Sequence, residues 1–195
     1  MSNIYHRGNR NLQDAFDSRS LADRMDELII HDEISDDEKA FIESLNMFFI
    51  STVDDQGRPT VSYKGGGTGF IRVLDNRTIA FPGYDGNGMF LTAGNLKTTS
   101  DVGLIFISFE RPNRLRLHGN ASIDANDPLL EEWLEAQYIV RIKVRNLFVN
   151  CPRYIHDLGN NSQSKNVPIR GVKTPGARWK DLEVFKDVLP TDDLT

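Results

Sequence analysis

Cysteine is almost missing from this chain: Cys151 is the single one in 195 residues. No internal disulfide can form, so burial and hydrogen bonding must hold the fold, as in a reducing compartment. No apolar run approaches the ~20 residues that cross a bilayer, so no membrane partner is expected. The start, Met1-Ser-Asn-Ile-Tyr-His-Arg-Gly8, has no apolar core of a secretory leader, which gives a cytoplasmic location as the expectation. Basic runs are missing too. The 23 Lys and Arg are outnumbered by 28 Asp and Glu, for a net charge of -5. That balance argues against a nucleic-acid partner. Histidines are few and scattered, at His6, His31, His118 and His156, with no helical pair or Cys cluster to hold zinc, so no metal is expected. There is no Gly-x-Ser-x-Gly elbow, Walker loop or Gly-x-Gly-x-x-Gly fingerprint, and no catalytic side chain declares itself.

What is present is a series of short strands. Hydrophobic residues make up 39% of the chain and include 11 Phe, enough for a real core. Residues 12–30 carry Leu12, Phe16, Leu21, Met25, Leu28 and Ile29 in a rough helical stripe. Ser35 and Glu38 form a capping-box pattern that opens a second helix. Strands are predicted at Met47–Val53 and Pro59–Lys64 around an Asp54–Gly57 turn, and at Phe70–Val73 and Arg77–Phe81. A helix over Met89–Lys97 precedes strands at Val102–Phe109 and Arg114–Ile123. Asp127-Pro128 reads as the start of a helix through Leu134, and Cys151-Pro152 as the start of another. Tyr138–Val149 alternates Val140, Ile142 and Val144 with Arg141, Lys143 and Arg145, a strand with one apolar and one basic face. A small amphipathic segment lies at Trp179–Val188. At least six closely spaced strands with helices around them give a mainly β, α+β antiparallel barrel. The expected organisation is a helical segment over 1–46, the barrel over 47–158, and a tail over 159–195 that packs on the barrel or a partner subunit.

One loop is chemically suggestive by itself. Gly83-Tyr-Asp-Gly-Asn-Gly-Met89 runs straight into a predicted helix, whose free N–H groups and dipole suit an anion. It also reads as an ordinary flexible connection. Lys64, just before Gly65-Gly-Gly67, is placed to reach inward, or to stay in solvent as most lysines do. Arg114 and Arg116 alternate with Leu115 and Leu117, so both guanidiniums share a strand face, suited to phosphate or carboxylate or to plain solvation. Cys151 is open to two readings, a packed thiol or a reactive one.

The order of strands, the Ser62-Tyr63-Lys64 segment, the Gly83–Met89 loop and the helix after it resemble the FMN-binding split barrel of the pyridoxamine 5'-phosphate oxidase-like family. The resemblance is good over roughly residues 40–155. It implies an antiparallel split β-barrel with flanking helices and a homodimer that holds FMN at its interface. It also implies an oxidoreductase of open substrate, with NADH or NADPH as a candidate electron donor. By the same resemblance Ser62, Tyr63 and Lys64 lie along the flavin, and Ala80 and Phe81 sit on the strand across the ring. Asn87, Gly88 and Met89, with Asn95 one to two turns on, lie near the phosphate. Arg114, Arg116, Arg153 and Trp179 are second-rank contacts, with Trp179 closing the site from the other chain. The Ser-Arg-Lys-type phosphate cluster of the true vitamin B6 oxidases is replaced here by Asn87-Gly-Met89, so a stand-alone member with another substrate is expected. The alternatives are a flavin-binding module without turnover, such as a sensor or carrier, or the same barrel carrying a deazaflavin or haem.

Overall fold

A computed structural model describes residues 4–159, 172, 175–176 and 178–189. The chain divides into two compact units. One comprises Met1–His31, Phe109–Asn113 and Cys151–Thr195; the other comprises Asp32–Ser108 and Arg114–Asn150.

The second unit carries the sheet. Its strands are β1 (Met47–Val53), β2 (Pro59–Gly65), β3 (Arg72–Asp75), β4 (Thr78–Gly83), β5 (Asp101–Ser108), β6 (Asn113–Asp124) and β7 (Tyr138–Val149). They form a seven-stranded sheet in the order β2-β1-β5-β6-β7-β4-β3. The pairs β1–β2, β1–β5, β3–β4, β4–β7 and β6–β7 are antiparallel. With its flanking helices this is the mainly β, antiparallel split barrel that the sequence leads one to expect. The β1–β2 hairpin closes where the sequence predicts. Asp54 accepts from the backbone N–H of Gln56 and Arg58, and Gly57 takes the left-handed conformation, φ 79°, that the turn requires.

Burial drives the closure. Phe48 is fully buried at the centre, with ring centroids of Phe70, Phe81 and Phe106 at 5.8, 4.9 and 5.6 Å. Aromatic groups of this size dominate core energetics. A smaller cluster of Ala80, Trp133 and Ile139 packs on the other face of β4. It is flanked by Arg72, whose guanidinium lies 4.9 Å over the Trp133 ring and pairs with Glu132.

Helix α3 (Asp36–Ser44) has the predicted capping box: Ser35 Oγ accepts from the Glu38 N–H, and Glu38 accepts from the Ser35 N–H. Helix α4 (Leu91–Thr98) joins β4 to β5. In the first unit the stripe over 12–30 is two helices, α1 (Arg7–Ala15) and α2 (Arg19–Leu28), broken at Asp17 with φ 47°. A salt bridge of 2.6 Å from Arg10 to Asp23 ties them. The C-terminal part holds a 3-10 turn at Arg178–Asp181 and a short helix, α5 (Glu183–Lys186).

Two other predictions are corrected. The helix at Asp127-Pro128 is a 3-10 turn that ends at Glu132: Asp127 caps Leu129 at 2.9 Å, but Trp133 turns away into the small core cluster. Cys151-Pro152 opens a turn at Arg153-Tyr154 and no helix, with the Ile155 N–H bonding the Pro152 carbonyl at 2.9 Å.

Candidate functional site

Strands β2, β4 and β7, the Tyr84–Phe90 loop and the first turn of α4 enclose a cavity of about 400 Å³. Every residue that lines it belongs to the second unit. The walls are apolar where Phe70, Phe81, Pro82 and Val140 contribute, and polar along Ser62, Lys64 and the loop. A pocket with apolar sides and a few placed polar groups is the usual form of a cofactor or ligand site.

The polar side has a definite construction. β2 alternates, so Val61 and Tyr63 are exposed while Ser62 and Lys64 are half-buried. Thr92, in the first turn of α4, donates to Ser62 Oγ at 3.0 Å and fixes the helix against β2. Lys64 is the only cationic side chain in the lining, and among the described residues it has no carboxylate or hydrogen-bond partner. Burial pushes its ammonium below the usual lysine range. A half-buried cation without a counter-charge is a prepared place for an anion.

The loop is braced by its own side chain. Asn87 Oδ1 accepts from the Met89 N–H at 3.1 Å, and Gly88 is left-handed at φ 76°. Phe90, at the helix start, is also left-handed at φ 49°, and no side chain caps α4. The uncapped first turn of α4 lines the same cavity as Lys64. Tyr138, also on the cavity wall, pairs with Gly83 across β4–β7, and burial raises its phenol above the usual range.

The residues singled out from the sequence do not all come together. Ser62, Tyr63, Lys64, Phe81, Asn87, Gly88 and Met89 come together around the cavity. Ala80 is turned to the other face of β4, packed with Trp133 and Ile139, and Asn95 donates to Thr52 Oγ1 at 2.9 Å; neither lines the cavity. Arg114 and Arg116 share one face of β6, where Arg116 is held below its usual range by burial and by Arg114. His118, on the same face, lies edge-on to Phe148 at 5.5 Å, and burial, then Arg145 and Arg116, lower its pKa. Arg153 and Trp179 belong to the first unit. There Arg153 donates to the Pro175 carbonyl at 2.8 Å, and the Trp179 ring lies edge-on to Phe185 at 5.6 Å.

Thr92 and Tyr138 are cavity residues that the sequence reading does not single out. Thr92 sits inside a helical run with no motif. Tyr138 reads only as the start of a strand. Its local signal is the glycine opposite it, visible once β4 and β7 are paired. Among the described residues no group of three His, Cys, Asp or Glu gathers to hold a metal, and no helix is long and apolar enough to cross a membrane.

Comparison with known proteins places the chain. No curated protein sequence matches it significantly. Among solved structures it is similar to HupZ of Group A Streptococcus, with 19% identity, 60% of this chain and 93% of that one covered, and a TM-score of 0.49. It is similar to HutZ, the heme storage protein of Vibrio cholerae, with 20% identity, 61% and 96% coverage, and a TM-score of 0.46. An FMN-binding protein of Syntrophomonas wolfei gives 12% identity, 73% and 94% coverage, and a TM-score of 0.43. The family model for pyridoxamine 5'-phosphate oxidase matches residues 34–157, well over half of the 195, and the chain belongs to that family.

Proposed function

We propose that this protein is an FMN-dependent oxidoreductase that works as a cytoplasmic homodimer. The observation that carries the reading is the Lys64 cation, with no paired carboxylate among the described residues, in the same cavity lining as the uncapped start of α4 and a set of apolar walls. Two kinds of surface meet there: a positive, donor-rich side for a phosphate, and aromatic or aliphatic walls for a flat ring. The residues present fit a phosphorylated flavin. Lys64, the Asn87–Met89 loop and the uncapped first turn of α4 would surround the phosphate. The β2 backbone at Ser62 and Tyr63 would lie along the ring, and Phe81 and Val140 would exclude water from it.

Bound flavin supplies hydride or electron transfer, with NADH or NADPH as the donor class, and the protein supplies position and field. Lys64 neutralises charge, and the Ser62–Thr92 hydroxyl pair keeps β2 and α4 in register around the site. Arg114 and Arg116, and Trp179 from the tail over 159–195, serve the partner's cofactor in this reading, with Arg153 as a further contact. The test is multiple turnover: the purified protein is mixed with NADH or NADPH in the presence of oxygen and flavin absorbance is followed. Repeated bleaching and recovery supports the enzyme. A flavin that binds but is never reduced makes the protein a binding module.

A further inference from the structure

Tyr138 opens β7 on the cavity wall, paired in register with Gly83 at the end of β4. A Cβ built on Gly83 would stand 2.0 Å from Tyr138 Cε2 and 2.1 Å from Cζ, far inside van der Waals contact. The ring therefore lies directly over the Gly83 backbone, in space that only glycine leaves open. This fixes the ring as a plate on the cavity wall, packed on one side against the main core. Its hydroxyl has no hydrogen-bond partner among the described residues. Half-buried tyrosine hydroxyls ordinarily find one.

The two side chains thus offer different chemistry. Lys64 brings a charge and matches an anion. Tyr138 brings a neutral O–H, and burial keeps it protonated well beyond neutral pH. We infer that Tyr138 is the donor through which this cavity recognises an uncharged carbonyl on a flat conjugated ring, and that Gly83 exists to let it lie there. A ring with a carbonyl edge meets that donor. The inference rests on the flavin reading of the cavity and deepens it: the phosphate goes to Lys64 and a ring carbonyl to Tyr138.

The competing account is that Tyr138 merely covers a glycine across the strand pair, with the hydroxyl dispensable. Titration of the full-length protein with FMN and with riboflavin, read by flavin fluorescence, separates the two. Tyr138→Phe keeps the plate over Gly83 and is expected to raise Kd about tenfold for both ligands, the scale of one lost hydrogen bond. The bound flavin's carbonyl stretch should move to higher frequency in the infrared difference spectrum. Lys64→Met should weaken FMN and leave riboflavin as it was. Equal affinity in wild type and Tyr138→Phe, with an unmoved carbonyl band, overturns the inference and leaves the flavin reading intact. Wild-type protein that takes up neither ligand removes both. Where Tyr138→Phe fails to fold, 3-fluorotyrosine placed at position 138 gives a more acidic donor of nearly the same shape. It should lower the carbonyl frequency, and an unchanged band overturns the assignment.

Discussion

Thr92 on α4 donates a hydrogen bond to Ser62 on β2 at 3.0 Å, and Thr92 is itself only 5% exposed. The bond joins the helix start to the strand that forms the polar side of the cavity. Thr92→Val keeps the shape, removes the donor and leaves Ser62 Oγ without it. We expect a loss of roughly 1 kcal/mol of stability, seen as a lower urea midpoint with an unchanged slope, together with weaker flavin retention. Unchanged retention would show that α4 holds its place without this contact.

Lys64 governs the charge of the site. Lys64→Met removes the counter-charge for a phosphate, so FMN content after purification should fall while secondary structure is retained. The pH dependence follows from the direction of its shift. Its pKa is lowered by burial, so the ammonium is lost at a lower pH than that of a free lysine. FMN affinity should therefore fall as pH rises through the lowered Lys64 pKa, below the ordinary ~10.4. Riboflavin affinity should show no such step. A step in both ligands would assign the titration to another group.

Phe90 opens α4 in the left-handed conformation, φ 49° and ψ 28°, while its side chain is 55% exposed. A bulky residue there stores strain of order 1 kcal/mol, with little burial to offset it. Phe90→Gly should raise stability by roughly 0.5–1 kcal/mol in urea unfolding. A lower midpoint would mean that the Phe90 ring contributes packing that exceeds the strain.

Asp127 and Arg141 form an ion pair at 2.5 and 2.9 Å, with Asp127 almost wholly buried. The hydrogen bond from Arg141 holds the carboxyl below the usual carboxylate range. The sign is that of a depressed acid: its contribution is complete above the unfolded pKa of ~3.9 and is lost as pH falls through the lower folded value. Arg141→Leu leaves a buried, unpaired carboxylate and should cost roughly 2 kcal/mol at pH 7, less than a fully buried pair because Arg141 keeps solvent contact. The gap between variant and wild type should close as pH drops below ~3.9. A gap independent of pH would mean that packing, and not charge, is what the variant loses.

Local chemistry was legible in the sequence wherever one segment determines its own shape. The Asp54–Gly57 turn and the Ser35–Glu38 box depend on side chains two to four residues apart, and the structure shows both. Tyr138–Val149 is found with the predicted bounds because its alternation covers many residues. The break at Asp17 was hidden, since its left-handed backbone interrupts an apolar stripe that itself continues. Ala80 and Phe81 are adjacent on β4, and a period of two says only that they face apart. Nearly all of β4 is buried, so burial cannot tell which of the two meets the cavity. That choice is made by β7, about 60 residues on, as is the meeting of Tyr138 with Gly83.

The most direct measurement of the central claim is the visible spectrum of the freshly purified protein, repeated after incubation with excess FMN and desalting. The account predicts the two absorption bands of a flavin, released by denaturation as FMN and retained at one per subunit. A protein that stays colourless after loading would contradict it, as would a single deazaflavin band or a Soret peak.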